Sequence, residues 1–184
     1  MGSMLNMDDP RHTRLRKTIN RAFTPKRVAA IDHDVRVKAR QIIASVSERG
    51  ECDAVEELAA QLPVQIICEM MGIPAEDEDQ VFRWTNVILG VGDPEFTTTF
   101  EDLIAAGMGM FQYAQALGED RLANPGDDLT SVMMHAEVDG DQLTPQEFGS
   151  FFILLVVAGH ETTRNATSHR LKAFGGHPAQ RDTW

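Results

Sequence analysis

The sequence predicts an all-α protein built around one long buried helix, with at most one small β-hairpin. Three observations carry this. An apolar run, Phe148 to Ala158, lies inside a stretch with its own helix start and stop signals. Apolar residues recur at helical spacing in several other stretches, each bounded by a capping Thr or Asp, a Pro or a Gly. Alternating β-branched runs are scarce, while 42% apolar content over 184 residues is enough to form a real core.

Asp9-Pro10 reads as N-cap and first residue of a helix reaching about Phe23, with His12 and Arg16 four apart on one face. Thr24-Pro25 opens a second helix that runs to about Arg49 and stops at Gly50, with Val28, Ile31, Val35, Ile42 and Val46 as its core stripe. A third runs from Asp53 to Met71, kinked at Pro63 and ended by Gly72 and Pro74. Asp77 to about Gly90 is the fourth, broken by Gly90, Gly92 and Asp93-Pro94. A fifth extends from about Glu95 to Ala123.

Asn124-Pro125-Gly126 then makes a loop, and Asp127-Asp128 cap a short helix through about Ala136. Asp139-Gly140 is a hairpin-turn dipeptide between Glu137 and Leu143. Thr144 caps the long helix, Pro145 suits its first position and Glu147 completes a capping box. Gly175-Gly176 and Pro178 end it. At 1.5 Å per residue it is roughly 45–50 Å long. His177-Pro178 opens one more helix.

Net charge is −11, unevenly spread: Asp8 to Arg49 holds 11 Lys/Arg against 5 Asp/Glu. A basic region on an acidic chain suits an acidic protein partner or anionic ligand groups, and the overall charge argues against nucleic acid. The apolar run is shorter than the roughly 20 residues of a membrane span, and no signal-peptide pattern is present. Cys52 and Cys68 form neither a disulfide framework nor a zinc spacing, and Cys68 reads as a buried thiol. A cytoplasmic, reducing compartment fits.

The chemistry concentrates in Ala158-Gly159-His160-Glu161-Thr162-Thr163. A helical Thr can bond back to the carbonyl four residues earlier, here Ala158, and Gly159 removes bulk from the same turn. The run Phe148 to Ala158 should be buried all round, so an acid, an alcohol and a loosened backbone would stand in a dry setting. That is a proton-delivery notch beside a small ligand. An ordinary buried helix with a glycine defect and a solvent-facing Glu accounts for the same residues. Zinc chemistry through His160-Glu161 fails because Arg164 stands where a second His is needed, and no metal site is expected. No nucleophile elbow, phosphate loop or dinucleotide fingerprint is present.

The hexapeptide, preceded by FFILLVV and followed by RNA, resembles the central helix of the cytochromes P450. DDPRHTRLRKTINRAFTP resembles that family's propionate-binding helix, and LPVQIICEMMGIP resembles another of its helices. The match runs from Asp8 to Trp184 and implies the central helical portion of the P450 fold, residues 1–184 being one incomplete domain. It further implies haem b in the full-length parent. Ala158, Gly159 and Thr163 would lie against it, His12 and Arg16 would hold its propionates, and Glu161 and Thr162 would pass protons to dioxygen.

By the same resemblance Trp84, Asn86, Leu89 and Leu155 would touch a small apolar substrate, although packing also explains them. A ferredoxin-like electron donor would dock near Arg14 and Lys17. WTNVILGVGDP and SFFILLVVAGHETTRNA are closest in flavour to actinobacterial hydroxylases of lipid or sterol chain ends. Departures are Arg170, where the family usually carries Gly, and Phe174-Gly175-Gly176 in a usually apolar stretch. The family's thiolate-bearing loop and its segment before His12 are not found, so this chain alone is expected to be inactive. The alternative is a non-catalytic helical module that self-associates through exposed apolar surface.

Overall fold

A computed structural model describes residues 4–20, 22–91, 99–138, 140–181 and 183. It is helical almost throughout. The helices are α1 (Arg11–Asn20), α2 (Pro25–Ser47), α3 (Gln61–Met71), α4 (Glu78–Leu89), α5 (Phe100–Ala123), α6 (Leu129–Met134), α7 (Pro145–Gly176) and α8 (Pro178–Arg181). Two-residue strands β1 (Glu137–Val138) and β2 (Asp141–Gln142) pair antiparallel, Glu137 opposite Gln142. Gly140 takes φ 84° in their turn, and its predicted partner Asp139 lies outside the described residues.

α7 is the axis, and its start is set as the sequence predicts. Thr144 accepts from the Glu147 N–H, and the Glu147 carboxylate accepts from the Thr144 N–H. α5 packs along α7, α3 covers a second side, and α4 packs against both α5 and α7. Close approach of α5 requires Gly149, because a Cβ there would stand 2.8 Å from the Phe111 ring. Phe148, Phe152, Val156 and His160, four residues apart, make one fully buried stripe. Met71, Met110, Met133 and Met134 fill the space around it.

Five sequence expectations are corrected. α1 starts at Arg11 rather than Pro10, because helical bonding begins with His12 N–H to the Asp8 carbonyl and Arg14 N–H to Pro10; it ends at Asn20, short of Phe23. The α2 stripe is only partly core: Ile42 alone is buried, Ile31, Val35 and Val46 are half-buried, and Val28 is 54% exposed, because Val28 and Ile31 line an open cleft toward α3 instead of packing closely against it. The third helix divides at Ala60 instead of kinking at Pro63. A π-helical turn, Ala54–Ala59, ends with Ala60 N–H bonded to the Val55 carbonyl. Pro63 then falls in the first turn of α3, where a missing N–H costs nothing.

The fifth helix begins at Phe100 behind a Thr99–Asp102 capping box; Glu95, and the Gly92 and Asp93-Pro94 break, lie outside the described residues. Finally, Phe148 to Ala158 is not buried all round, for Leu154, Leu155 and Val157 are half-buried and Ala158 is exposed. α7 therefore has one dry side and one open side. No described helix is long and apolar enough to cross a membrane.

Candidate functional site

The two sides of α7 differ most sharply in the turn from Ala158 to Thr163. On the inner side, a Cβ at Gly159 would meet Ile67 Cδ1 of α3 at 2.8 Å, so a larger residue there would make the Ile67 side chain give way. His160 is fully buried and meets Phe82 of α4 edge to face, ring centroids 5.5 Å apart. Neither ring nitrogen has a hydrogen-bond partner among the described residues. Burial, with Arg164 second, pushes the imidazole below its ordinary titration range; Glu161 and the nearby Ala60 backbone, which falls short of hydrogen-bond geometry, oppose this more weakly. His160 is held neutral.

On the outer side Ala158, Thr162 and Thr163 are exposed. Thr162 lies about 200° around the helix from His160, hence opposite the core. Its Oγ1 donates to the Ala158 carbonyl at 2.6 Å, the back-bond expected from the sequence.

Glu161 stands between the two sides, half-buried. Its carboxylate is held by neighbours on the same helix. Arg164 donates to Oε1 at 2.8 Å and lies 2.7 Å from Oε2, and Asn165 Nδ2 donates to Oε1 at 2.8 Å. The carboxylate thus points along α7 toward its C-terminal half, while the Thr162 hydroxyl turns back toward the N-terminal half. No hydrogen bond joins them. The arrangement offers a hydroxyl with a small-residue neighbour on an open flank, backed by a tethered acid.

His12 is half-buried and Arg16 exposed on α1, and neither bonds or ion-pairs with another described residue. Both side chains keep their donors available to an anion. α1 meets α7 near its start, where Arg14 ion-pairs with Glu147. Leu155 and Leu89 are half-buried apolar residues, Leu155 packed on the core margin. Trp84 is packed against α5: its ring lies 6.0 Å from that of Tyr113, and a Cβ on Gly109 would stand 2.9 Å from it. Packing accounts for Trp84. Asn86 is half-buried, and its Oδ1 is a buried acceptor with no partner among the described residues.

Neither cysteine stands on the open flank of α7. Cys68 is buried in α3, where burial pushes its thiol up to about 12, and Cys52 is exposed between α2 and the π-helical turn. A cavity of about 330 Å3 between α2, α3 and the start of α6 shares no lining residue with α7. Among the described residues no cluster of His, Cys, Asp or Glu could hold a metal ion.

Sequence reasoning missed the tether on Glu161, although Arg164 and Asn165 stand at the three- and four-residue spacings that let helical side chains meet. It also missed His160 as a core residue. The signal was its place four residues beyond Val156 on the Phe148 stripe.

No protein-family model matches the chain. It is 52% identical over its whole length to the methyl-branched lipid omega-hydroxylase of Mycobacterium tuberculosis, covering 44% of that protein. It is 39% identical over 96% of its length to the steroid C26-monooxygenase of Mycolicibacterium smegmatis, covering 41% of it. Its fold matches a Mycobacterium marinum cytochrome P450 solved with pseudoionone, with TM-score 0.90, 38% identity, and 98% of this chain and 44% of that one covered. It also matches the LnmA cytochrome P450 hydroxylase of Streptomyces atroolivaceus, with TM-score 0.91, 31% identity, and 98% and 46% covered. The chain thus spans less than half the length of the relatives it matches.

Proposed function

From the premise that this chain belongs, in sequence and fold, to the cytochrome P450 family, we propose that it supplies the proton-handling and propionate-binding helices of a haem-thiolate monooxygenase. Residues 1–184 are read as part of one haem domain. The observation that carries the reading is the turn Ala158 to Thr163, open and small on one side and sealed by His160 on the other.

The residues present fit one face of a haem. Ala158 and Thr163 give a flank low enough for a flat macrocycle, whereas Gly159, expected against the haem, faces Ile67 of α3 instead; His12 and Arg16 carry unengaged donors suited to two carboxylates. They do not supply a thiolate on that flank, since Cys68 is buried in α3 with its thiol pushed up to about 12 and Cys52 lies between α2 and the π-helical turn. The haem, when bound through a thiolate, would supply oxidation of an apolar C–H bond by dioxygen, one oxygen atom going to product and the other to water.

This chain's part is to place protons. Thr162 Oγ1 rests on the Ala158 carbonyl and, by rotating about χ1, would donate instead into the open flank. Glu161, released from Arg164 and Asn165, would return a proton to that hydroxyl. His160 would take no part, because burial keeps its ring neutral and behind the helix. Asn86 Oδ1 is free to accept from a polar group of the substrate, and Leu89 and Leu155 would line its apolar path.

The relatives named for methyl-branched lipids and steroids favour a lipid or sterol-like chain as substrate. Electrons would come from a ferredoxin-like protein docked on the cations of α1, in a cytoplasmic setting that suits two free cysteines.

The test is a chimera in which this chain replaces the matching segment of the Mycobacterium tuberculosis methyl-branched lipid omega-hydroxylase. Hydroxylated lipid should form, and Thr162→Ala should divert electrons from product to peroxide. A chimera that binds haem with the thiolate spectrum yet forms no product would refute the reading. A second reading, a self-associating helical module, is favoured by the exposure of Val28 and Ile43 on α2 and Val55 beside it. A single monomeric boundary in sedimentation velocity would remove it.

A further inference from the structure

Glu147 stands where two requirements meet. As the third residue of α7 it accepts from the Thr144 N–H at 3.2 Å and the Thr144 hydroxyl at 3.3 Å, through Oε2. Its other oxygen, Oε1, ion-pairs with Arg14 of α1, 133 residues earlier, and lies 3.8 Å from Arg11. One carboxylate therefore joins the cap of the long helix to the helix that carries His12 and Arg16.

The two pairs are not equal. The Glu147 side chain is 12% exposed and that of Arg14 27%, so this pair is partly desolvated and poorly screened. Arg11 is 59% exposed, and its longer contact is weak. The Arg14 pair dominates. Around α1, Arg14 shares the side of buried Leu15 and Thr18, and Thr18 Oγ1 donates to the Arg14 carbonyl at 3.2 Å. His12 and Arg16, each two residues from Arg14, lie about 200° around the helix from it. Rotation of α1 about its own axis would carry those two side chains off their heading, and apolar packing of Leu15 and Ile19 alone is non-directional. An ion pair supplies the missing direction.

We propose that Glu147 is a positioning residue that fixes the rotation of α1 against α7, and through it the heading of His12 and Arg16 relative to the turn Ala158 to Thr163. The consequence for an anionic cofactor rests on the function proposed above; the clamp itself does not.

The experiment uses the whole 184-residue chain. Glu147→Gln keeps the acceptor that the capping box needs and removes the charge. Amide hydrogen exchange should quicken about tenfold or more at Leu15 to Asn20 while Phe148 to Phe151 stay protected. Residual dipolar couplings should show α1 reoriented against α7. Arg14→Gln should do the same more weakly, since Arg11 remains. The double variant should fall short of the sum of the two single effects, because the Arg14–Glu147 pair is lost in each.

Unchanged α1 exchange and couplings in Glu147→Gln would overturn the proposal. So would loosening of the first turn of α7 alone, which would make Glu147 only a cap. Additive effects in the double variant would also overturn it. No porphyrin enters either readout, so a negative result here removes the clamp alone, and failure to bind a porphyrin removes the functional reading alone.

Discussion

His160 and Phe82 meet edge to face, ring centroids 5.5 Å apart and planes at 69°, and so close the inner side of the turn whose outer side carries Thr162. An apolar partner on a fully buried imidazole gives it packing but no hydrogen bond. This sets how the protein should respond to acid.

The folded state lowers the proton affinity of His160, whereas in the unfolded chain the ring titrates near its ordinary value of about 6.5. Below that pH the unfolded state binds more protons, so stability falls as pH drops from about 6.5 toward the lowered folded value. His160→Leu should flatten that part of the stability curve, measured by urea denaturation from pH 7.5 to pH 5. An unchanged slope would show that the ring gains a charge while buried.

Phe152 lies in the middle of the stripe, fully buried and tilted against Tyr113 at 6.3 Å. Phe152→Ala should cost about 3–5 kcal/mol, enough to unfold much of a marginal domain. Chemical denaturation measures this directly.

Thr162 is exposed, and its back-bond replaces one that water would make. Thr162→Ala should leave stability within about 0.5 kcal/mol. Together with the diversion of electrons to peroxide in the chimera, this would separate a role in chemistry from a role in folding.

Thiol labelling should be biphasic. Cys52 is exposed and should react at once, whereas Cys68, with its thiol pushed up to about 12, should react only when the protein is unfolded by denaturant. Two fast thiols in the native protein would contradict the burial of α3.

The long helix was legible to the residue because its ends carry local chemistry: a capping box at Thr144 and Glu147, and paired glycines before Pro178. The back-bond from Thr162 to Ala158 was legible for the same reason. What could not be read depends on partners distant in sequence. Nothing in α2 says that Val28 goes uncovered, and nothing near Glu147 points to Arg14. The division at Ala60 arises from a π-helical turn, whose i to i−5 bond has no side-chain signature. Around the turn Ala158 to Thr163, which way each side chain faces was not legible. Trp84 turned out to serve packing against Gly109, and His160 proved to be core.

The central claim is that the open flank of α7 and the side chains of His12 and Arg16 face one planar, dianionic tetrapyrrole. Titration of the isotopically labelled chain with gallium protoporphyrin IX, a diamagnetic stand-in for haem, reads this directly by NMR. Saturable ring-current shifts at Ala158, Thr162 and Thr163, with smaller ones at His12 and Arg16, are the result expected. Shifts confined to the exposed side of α2, or to the cleft between α2 and α3, or no saturable binding, would contradict it.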